Sequence, residues 1–116
     1  MDHLAIPVSD EERSRRFCGT YFGFGARLAR RYDDGVLMFY DAKGFALGLA
    51  GERIAPPTWM HFGVGMRGRE AVRALSGRLA ADGVELVEGW EEPDYVSVKC
   101  RDRDGCMVEA AWEPGR

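Results

Sequence analysis

Histidine is nearly absent from this chain, with only His3 and His61 among 116 residues. Cysteine is almost as sparse. Cys18, Cys100 and Cys106 are odd in number and match no zinc-ligand spacing, which argues against a disulfide scaffold or a cysteine zinc site. Reduced cytosolic thiols are expected instead, although Cys100 and Cys106 flank one turn. No apolar run approaches the roughly 20 residues that a bilayer span needs. The chain does not open with a basic stretch followed by an apolar one, so no secretory leader is expected. Both absences suggest a cytoplasmic protein without a membrane partner. There is no basic surplus either: the net charge is -3, which argues against a nucleic-acid partner. What remains is an ordinary globular composition. Its 46% hydrophobic content suffices for the core of a single domain.

The chain is organised around Trp59-Met60-His61-Phe62-Gly63-Val64-Gly65-Met66. This stretch repeats the opening Met1-Asp2-His3-Leu4-Ala5-Ile6-Pro7-Val8. In both, a histidine precedes alternating apolar and small residues, then a polar break and a helix-like segment. The turns Asp41 to Gly44 and Asp102 to Gly105 recur at almost the same offset, with a slip of about three residues in the loops, where insertions are tolerated. One module is therefore written twice, over residues 1–52 and 58–113, within a single domain of residues 1–116. The segment from Gly51 to Pro57 is too short to part independent domains.

Each module reads as a strand, a helix and three strands. In the first, Leu4 to Val8 is a strand. Ser9 and Glu12 form a capping box for a helix from Asp10 to about Phe22, with Phe17, Tyr21 and Cys18 inward and Gly23 closing it. Strands follow at Phe24 to Arg31, Val36 to Tyr40 and Phe45 to Ala50. In the second, Thr58 to Met66 is a strand. Arg69 to Asp82 is a helix with Val72, Leu75 and Leu79 on one face. Val84 to Val87 starts a strand, Glu88 to Asp94 is a loop, and Tyr95 to Arg101 and Met107 to Trp112 are strands. The fold class is α+β.

Alternate strand residues point to opposite faces. Leu4, Ile6, Met60, Phe62, Val64, Leu47, Leu49 and Val108 form apolar floors for the helices. The other faces carry small residues together with His3, His61 and Glu109. On the repeat alignment Glu109 corresponds to Gly48. Two imidazoles and one carboxylate can hold one divalent metal (iron, manganese, nickel or zinc) and leave positions open for substrate oxygens or water.

Asp2-His3-Leu4-Ala5-Ile6, Arg16-Phe17, Tyr21-Phe22-Gly23-Phe24, the His61 strand and Arg101-Asp102-Arg103-Asp104-Gly105-Cys106-Met107-Val108-Glu109 carry a family resemblance. Through them the whole chain resembles the vicinal oxygen chelate superfamily, the glyoxalase/bleomycin-resistance/dioxygenase group. The resemblance implies two βαβββ modules whose curled mixed sheets form a cleft, with helices on the outer face. It also implies a divalent metal held by His3, His61 and Glu109, and a homodimer.

Glyoxalase-type members use a carboxylate from each module, and Gly48 departs from that pattern. Lys99 stands where the dioxygenases usually carry a tyrosine. Ala5 cannot supply the hydroxyl that the fosfomycin thiol transferases place two residues after the first histidine. Strand parity puts Lys99 with Ser97 and Tyr95 on the cleft face: Ser97 and Tyr95 as expected residues of the substrate pocket, and Lys99 as an acid/base, an anchor for a substrate carboxylate, or a solvated lysine. Tyr40 and Trp59 have the parity to line the substrate pocket, or they pack in the core or a dimer interface. Trp90 is a lid, a partner contact or a surface ring. The resemblance implies a metal-dependent dioxygenase or lyase, with Glu109 and Lys99 at the reaction centre, acting on a small molecule that chelates the metal through adjacent oxygens. The alternative is a metal-free protein that sequesters a drug or metabolite, as bleomycin-resistance proteins do.

Overall fold

The computed structural model describes residues 3–25, 29–51 and 60–115. The chain divides into two compact units, Met1–Pro56 and Pro57–Arg116. The first runs β1 (His3–Pro7), α1 (Glu11–Phe22), β2 (Arg30–Arg31), β3 (Leu37–Tyr40) and β4 (Ala46–Ala50). The second runs β5 (His61–Gly65), α2 (Arg69–Ala81), β6 (Glu85–Glu92), β7 (Tyr95–Arg101) and β8 (Met107–Trp112). Each unit is one four-stranded mixed sheet with one helix. The strand orders are β1-β4-β3-β2 and β5-β8-β7-β6. The first strand of each unit pairs parallel with the last, and the remaining pairs are antiparallel. The expected α+β class with two βαβββ modules is what is found.

The duplication extends to single atoms. In the first unit Asp41 Oδ1 accepts from the backbone amides of Lys43 and Phe45 at 2.9 and 2.8 Å. In the second, Asp102 Oδ1 accepts from those of Asp104 and Cys106, both at 2.9 Å. An aspartate that closes the turn on its own downstream amides fixes the hairpin geometry. It thereby fixes the register of the strand that follows. His3 pairs with Ala46 and Ala5 with Gly48. His61 pairs with Met107 and Gly63 with Glu109. Gly48 and Glu109 are thus equivalent positions.

The first unit's core comprises Ile6, Val8, Cys18, Phe22, Phe24, Leu37, Phe39, Leu47 and Leu49. In the second, Val72, Leu75 and Leu79 of α2 meet Val96, Val98, Cys100, Val108 and Ala110. The three residues expected on that helix face are the buried ones. All three cysteines are buried and outside any disulfide. Burial pushes the thiol of Cys100 up to about 11 and that of Cys106 up to about 12, so both stay protonated and unreactive at neutral pH.

Several local expectations are corrected. The N-cap of α1 is Asp10 rather than Ser9, and its side chain accepts from the Arg13 amide at 3.1 Å. Ser9 Oγ instead accepts from the Arg13 guanidinium. The buried face of α1 is Ser14, Cys18 and Phe22, at intervals of four. Phe17 and Tyr21 lie half-buried at its margin and pack edge-on against each other. Gly23 closes the helix as expected, with φ 75°.

Of the strand expected from Phe24 to Arg31, Phe24 and Gly25 form a turn, Arg30–Arg31 is strand, and residues 26–28 lie outside the described ones. The reason is that Phe24 turns into the core against Phe39 and Phe45. That turn brings the Phe24 carbonyl to 2.9 Å from where a Cβ on Gly19 would stand, so only glycine fits there. Met60 is exposed rather than part of the apolar floor. The loop expected from Glu88 to Asp94 is strand as far as Glu92. β6 is an edge strand exposed along its whole length, and such edges carry charge to discourage pairing with other chains. Its acids imitate a loop. The Gly51 to Pro57 linker lies mostly outside the described residues.

Candidate metal and substrate site

The face of the second sheet that carries the site is identified by an ion pair. Glu91 on β6 pairs with Arg73 of α2, so Glu91 points to the helix side. Its neighbours Trp90 and Glu92 then point to the opposite, open side, as strand alternation requires. The register arranges that open side in rows. Trp90 lies beside Ser97, Ala111 and Gly65. Glu88 lies beside Lys99, Glu109 and Gly63. Arg101 lies beside Met107 and His61. The sequence-based parity of Tyr95, Ser97, Lys99, Glu109 and His61 therefore holds.

His61 and Glu109 meet. His61 Nε2 lies 3.7 Å from Glu109 Oε1, and their side chains are 27% and 16% exposed. Two donors on one cation, each bonded at about 2.1 Å, stand roughly 3.0–3.5 Å apart. A few tenths of an ångström of side-chain movement would therefore bring this pair into bonding range. Gly63 keeps the neighbouring position open, because even an added Cβ there would come no nearer than 4.0 Å to Glu109 Oε1.

The other oxygen of the carboxylate is engaged. Tyr95 Oη donates to Glu109 Oε2 at 2.9 Å. Burial, and then this hydrogen bond, raise the Tyr95 pKa, so the phenol keeps its proton. Lys99 is directly opposite Glu109 in the ladder, yet its Nζ donates to Glu88 Oε2 at 3.0 Å. That bond raises the lysine pKa, with smaller contributions from the charges of Glu88 and Glu109. Lys99 is thus a fixed ammonium between two carboxylates, and the row is net acidic, which favours a cation.

In the first unit, His3 opens β1 and is exposed. It lines an open pocket of about 450 Å³ with Tyr32, Met38, Tyr40, Gly44 and Ala46. Tyr40 therefore does line a pocket beside His3, and Tyr32 joins it. Arg30 stacks over the Tyr32 ring at 4.9 Å. The position equivalent to Glu109 is closed by apolar side chains. A Cβ on Gly48 would meet Val36 Cγ1 at 3.1 Å and Met38 Sδ at 3.3 Å. Met38 takes the register place of Lys99. Trp59 lies outside the described residues. Among the described residues no group of three His, Cys, Asp or Glu side chains is close enough to hold a metal. A second groove, of about 370 Å³, runs along α2 and the β6–β7 edge, with Val72, Arg73, Trp90, Glu91 and Ser97 among its lining, and neither His61 nor Glu109 takes part in it.

Glu88 and Trp90 escaped the sequence reading as members of this face. The signal that could have found them is the alternation Glu88, Trp90, Glu92 ahead of Pro93-Asp94, a proline-led turn that sets them opposite Lys99, Ser97 and Tyr95.

Residues 1–110 match the family model described as Glyoxalase/Bleomycin resistance protein/Dioxygenase superfamily. No curated protein matches the chain in sequence. Among solved structures the chain is similar to the fosfomycin resistance protein FosX of Listeria monocytogenes. There the TM-score is 0.81 and the identity 18%, over 99% of this chain and 93% of that one. It is also similar to a glyoxylase/bleomycin resistance protein/dioxygenase domain from Frankia sp. EAN1pec, with TM-score 0.78 and 19% identity over 97% and 96%. A possible glyoxalase from Bacillus cereus gives TM-score 0.75 and 24% identity over 95% and 96%. FosX has been crystallised with Mn(II) and sulfate.

Proposed function

The chain belongs to the Glyoxalase/Bleomycin resistance protein/Dioxygenase superfamily, and we propose that it is a metal-dependent enzyme of that group. The observation that carries this reading is the His61–Glu109 pair, 3.7 Å apart on an open sheet face. We propose His61 and Glu109 as two donors to one divalent cation and His3 as the third, in a domain built of two repeats that works as a cytoplasmic homodimer. Mn(II) in FosX supports a divalent ion, and iron, nickel and zinc suit the same donors.

When bound, such a cation supplies Lewis acidity to a substrate that chelates through adjacent oxygens. The chain's own residues do the rest. Glu109 and His61 orient the site. Lys99, charged and braced by Glu88, either donates a proton or anchors an anionic group of the substrate. Tyr40, Trp59 and Ser97 are proposed pocket walls. The reaction is oxygenative cleavage, isomerisation or lyase chemistry. Gly48, with Met38 across from it, leaves the site one carboxylate short of the glyoxalase pattern.

A metal-free sequestering protein is the second reading. The matched family description includes bleomycin resistance proteins alongside enzymes, which supports it. Under the leading reading His3, from the same copy or from a second one, completes the set. Metal analysis of protein purified without an affinity tag separates the two. Stoichiometric metal that is lost in His61→Ala and in His3→Ala, from a protein that sediments as a dimer, supports the enzyme. Metal-free protein that still binds a planar aromatic compound tightly supports sequestration.

A further inference from the structure

Glu109 is held by a hydroxyl group from its own hairpin. Tyr95 opens β7, Ser97 follows two residues later, and both share the open face with Glu109. The phenol donates to Glu109 Oε2 at 2.9 Å, and Ser97 stands on the same face, near enough to act on the phenol's pKa in the lowering sense. Lys99 stands nearer in the ladder, but Glu88 holds its ammonium at 3.0 Å. The two oxygens of Glu109 therefore differ: Oε2 is taken by Tyr95, while Oε1 faces His61 Nε2.

We infer that Tyr95 is a positioning residue for Glu109, not a wall of the substrate pocket. It retains Oε2, fixes the carboxylate rotamer and leaves Oε1 as the single oxygen offered to a divalent cation. Ser97 acts on the phenol in turn. The inference rests on the reading that His61 and Glu109 are metal donors. Its physical basis is that a carboxylate already aimed loses less freedom when a cation arrives, and partners behind metal ligands commonly set affinity.

The test is a calorimetric titration of the whole metal-free chain with Mn(II), in wild type, Tyr95→Phe, Ser97→Ala and His61→Ala, with a melting curve for each metal-free protein. Tyr95→Phe removes one hydroxyl and keeps the ring. It is expected to weaken Mn(II) binding about 10–100-fold while the metal-free melting point stays at the wild-type value. Ser97→Ala is expected to weaken it by about three- to tenfold. A part played only in folding would move the melting point and leave the affinity of the folded fraction unchanged. Affinity within twofold of wild type in Tyr95→Phe, alongside loss of metal in His61→Ala, overturns the inference and leaves the donor pair standing. If Tyr95→Phe destabilises the metal-free chain, Ser97→Ala decides by the same criterion. A wild-type chain that takes up no Mn(II) overturns the donor reading and this inference together, and that result is read before any variant.

Discussion

Adding one methyl group at each of two glycines tests the asymmetry between the modules. Gly63 is the ladder partner of Glu109, and Gly48 is the residue in Glu109's own place. Neither has a positive φ, so alanine suits both backbones. In each case alanine narrows the unfolded ensemble, which stabilises by about 0.4–1 kcal/mol. The surroundings then separate them. At position 63 the new Cβ meets nothing nearer than 3.9 Å, so Gly63→Ala keeps the whole gain. At position 48 it meets Val36 Cγ1 at 3.1 Å and Met38 Sδ at 3.3 Å. Overpacking of this kind costs about 1–3 kcal/mol, which exceeds the gain.

The expected outcome for metal-free protein is a rise in melting temperature of roughly 2–8 °C for Gly63→Ala, at about 4–8 °C per kcal/mol for a domain of this size. Gly48→Ala is expected to melt below wild type. Calorimetric melts of the two variants and wild type in one buffer measure both. Equal stabilisation by the two substitutions would refute the reasoning. Val36 and Met38 would then not fill the place that Glu109 occupies in the other module.

Stability should also fall in alkali, and the buried thiols set the window. In the unfolded chain Cys100 and Cys106 ionise near the ordinary 9.0, whereas the folded thiols hold their protons to about 11 and about 12. Above pH 9 the unfolded state therefore binds fewer protons, and folding loses on the order of 2–3 kcal/mol per pH unit while both thiols titrate in the unfolded chain alone. Urea melts from pH 8 to 11 should show this decline, and a Cys100→Ala/Cys106→Ala double variant should flatten it. Leu79→Ala removes a fully buried side chain from the core-facing side of α2 and should cost about 2–5 kcal/mol. A loss below 1 kcal/mol in denaturant titration would contradict the packing described.

The sequence was most readable where one periodicity had one cause. The buried stripe of α2 at Val72, Leu75 and Leu79 follows helical spacing, and β7 and β8 alternate because one of their faces is covered by that helix. Parity alone therefore set Tyr95, Ser97, Lys99 and Glu109 on one face. Reading failed where pattern and cause part company. β6 has no covered face, so hydrophobic alternation had no reason to exist there, and its acids looked like a loop. Its membership of the sheet is owed to ladder hydrogen bonds with β7, which any residue but proline can make. The N-cap of α1 was misassigned because Ser9 and Asp10 are both good caps; backbone direction chose Asp10. Hydrogen-bond partners were the least legible. Which carboxylate Lys99 would take, Glu88 or Glu109, depends on a bulge between Leu86 and Glu88 that no spacing rule foretells.

The same backbone register supports opposite chemistry in the two modules, and the difference comes down to two positions. Where the second unit sets Glu109 beside Lys99, the first sets Gly48 beside Met38. A carboxylate on a strand needs room and partners. Glu109 has both: Gly63 leaves the adjacent place empty, and Tyr95 takes one of its oxygens. At Gly48 the room is already filled by a thioether and a valine methyl. A carboxylate introduced there would be pressed against apolar groups and desolvated, a costly burial. The lack of a carboxylate at this position is thus built into the neighbours and not confined to one residue. A Gly48→Glu change alone should destabilise the first unit without creating a new metal donor, whereas paired replacement of Met38 by a smaller polar residue would be needed to make space for it.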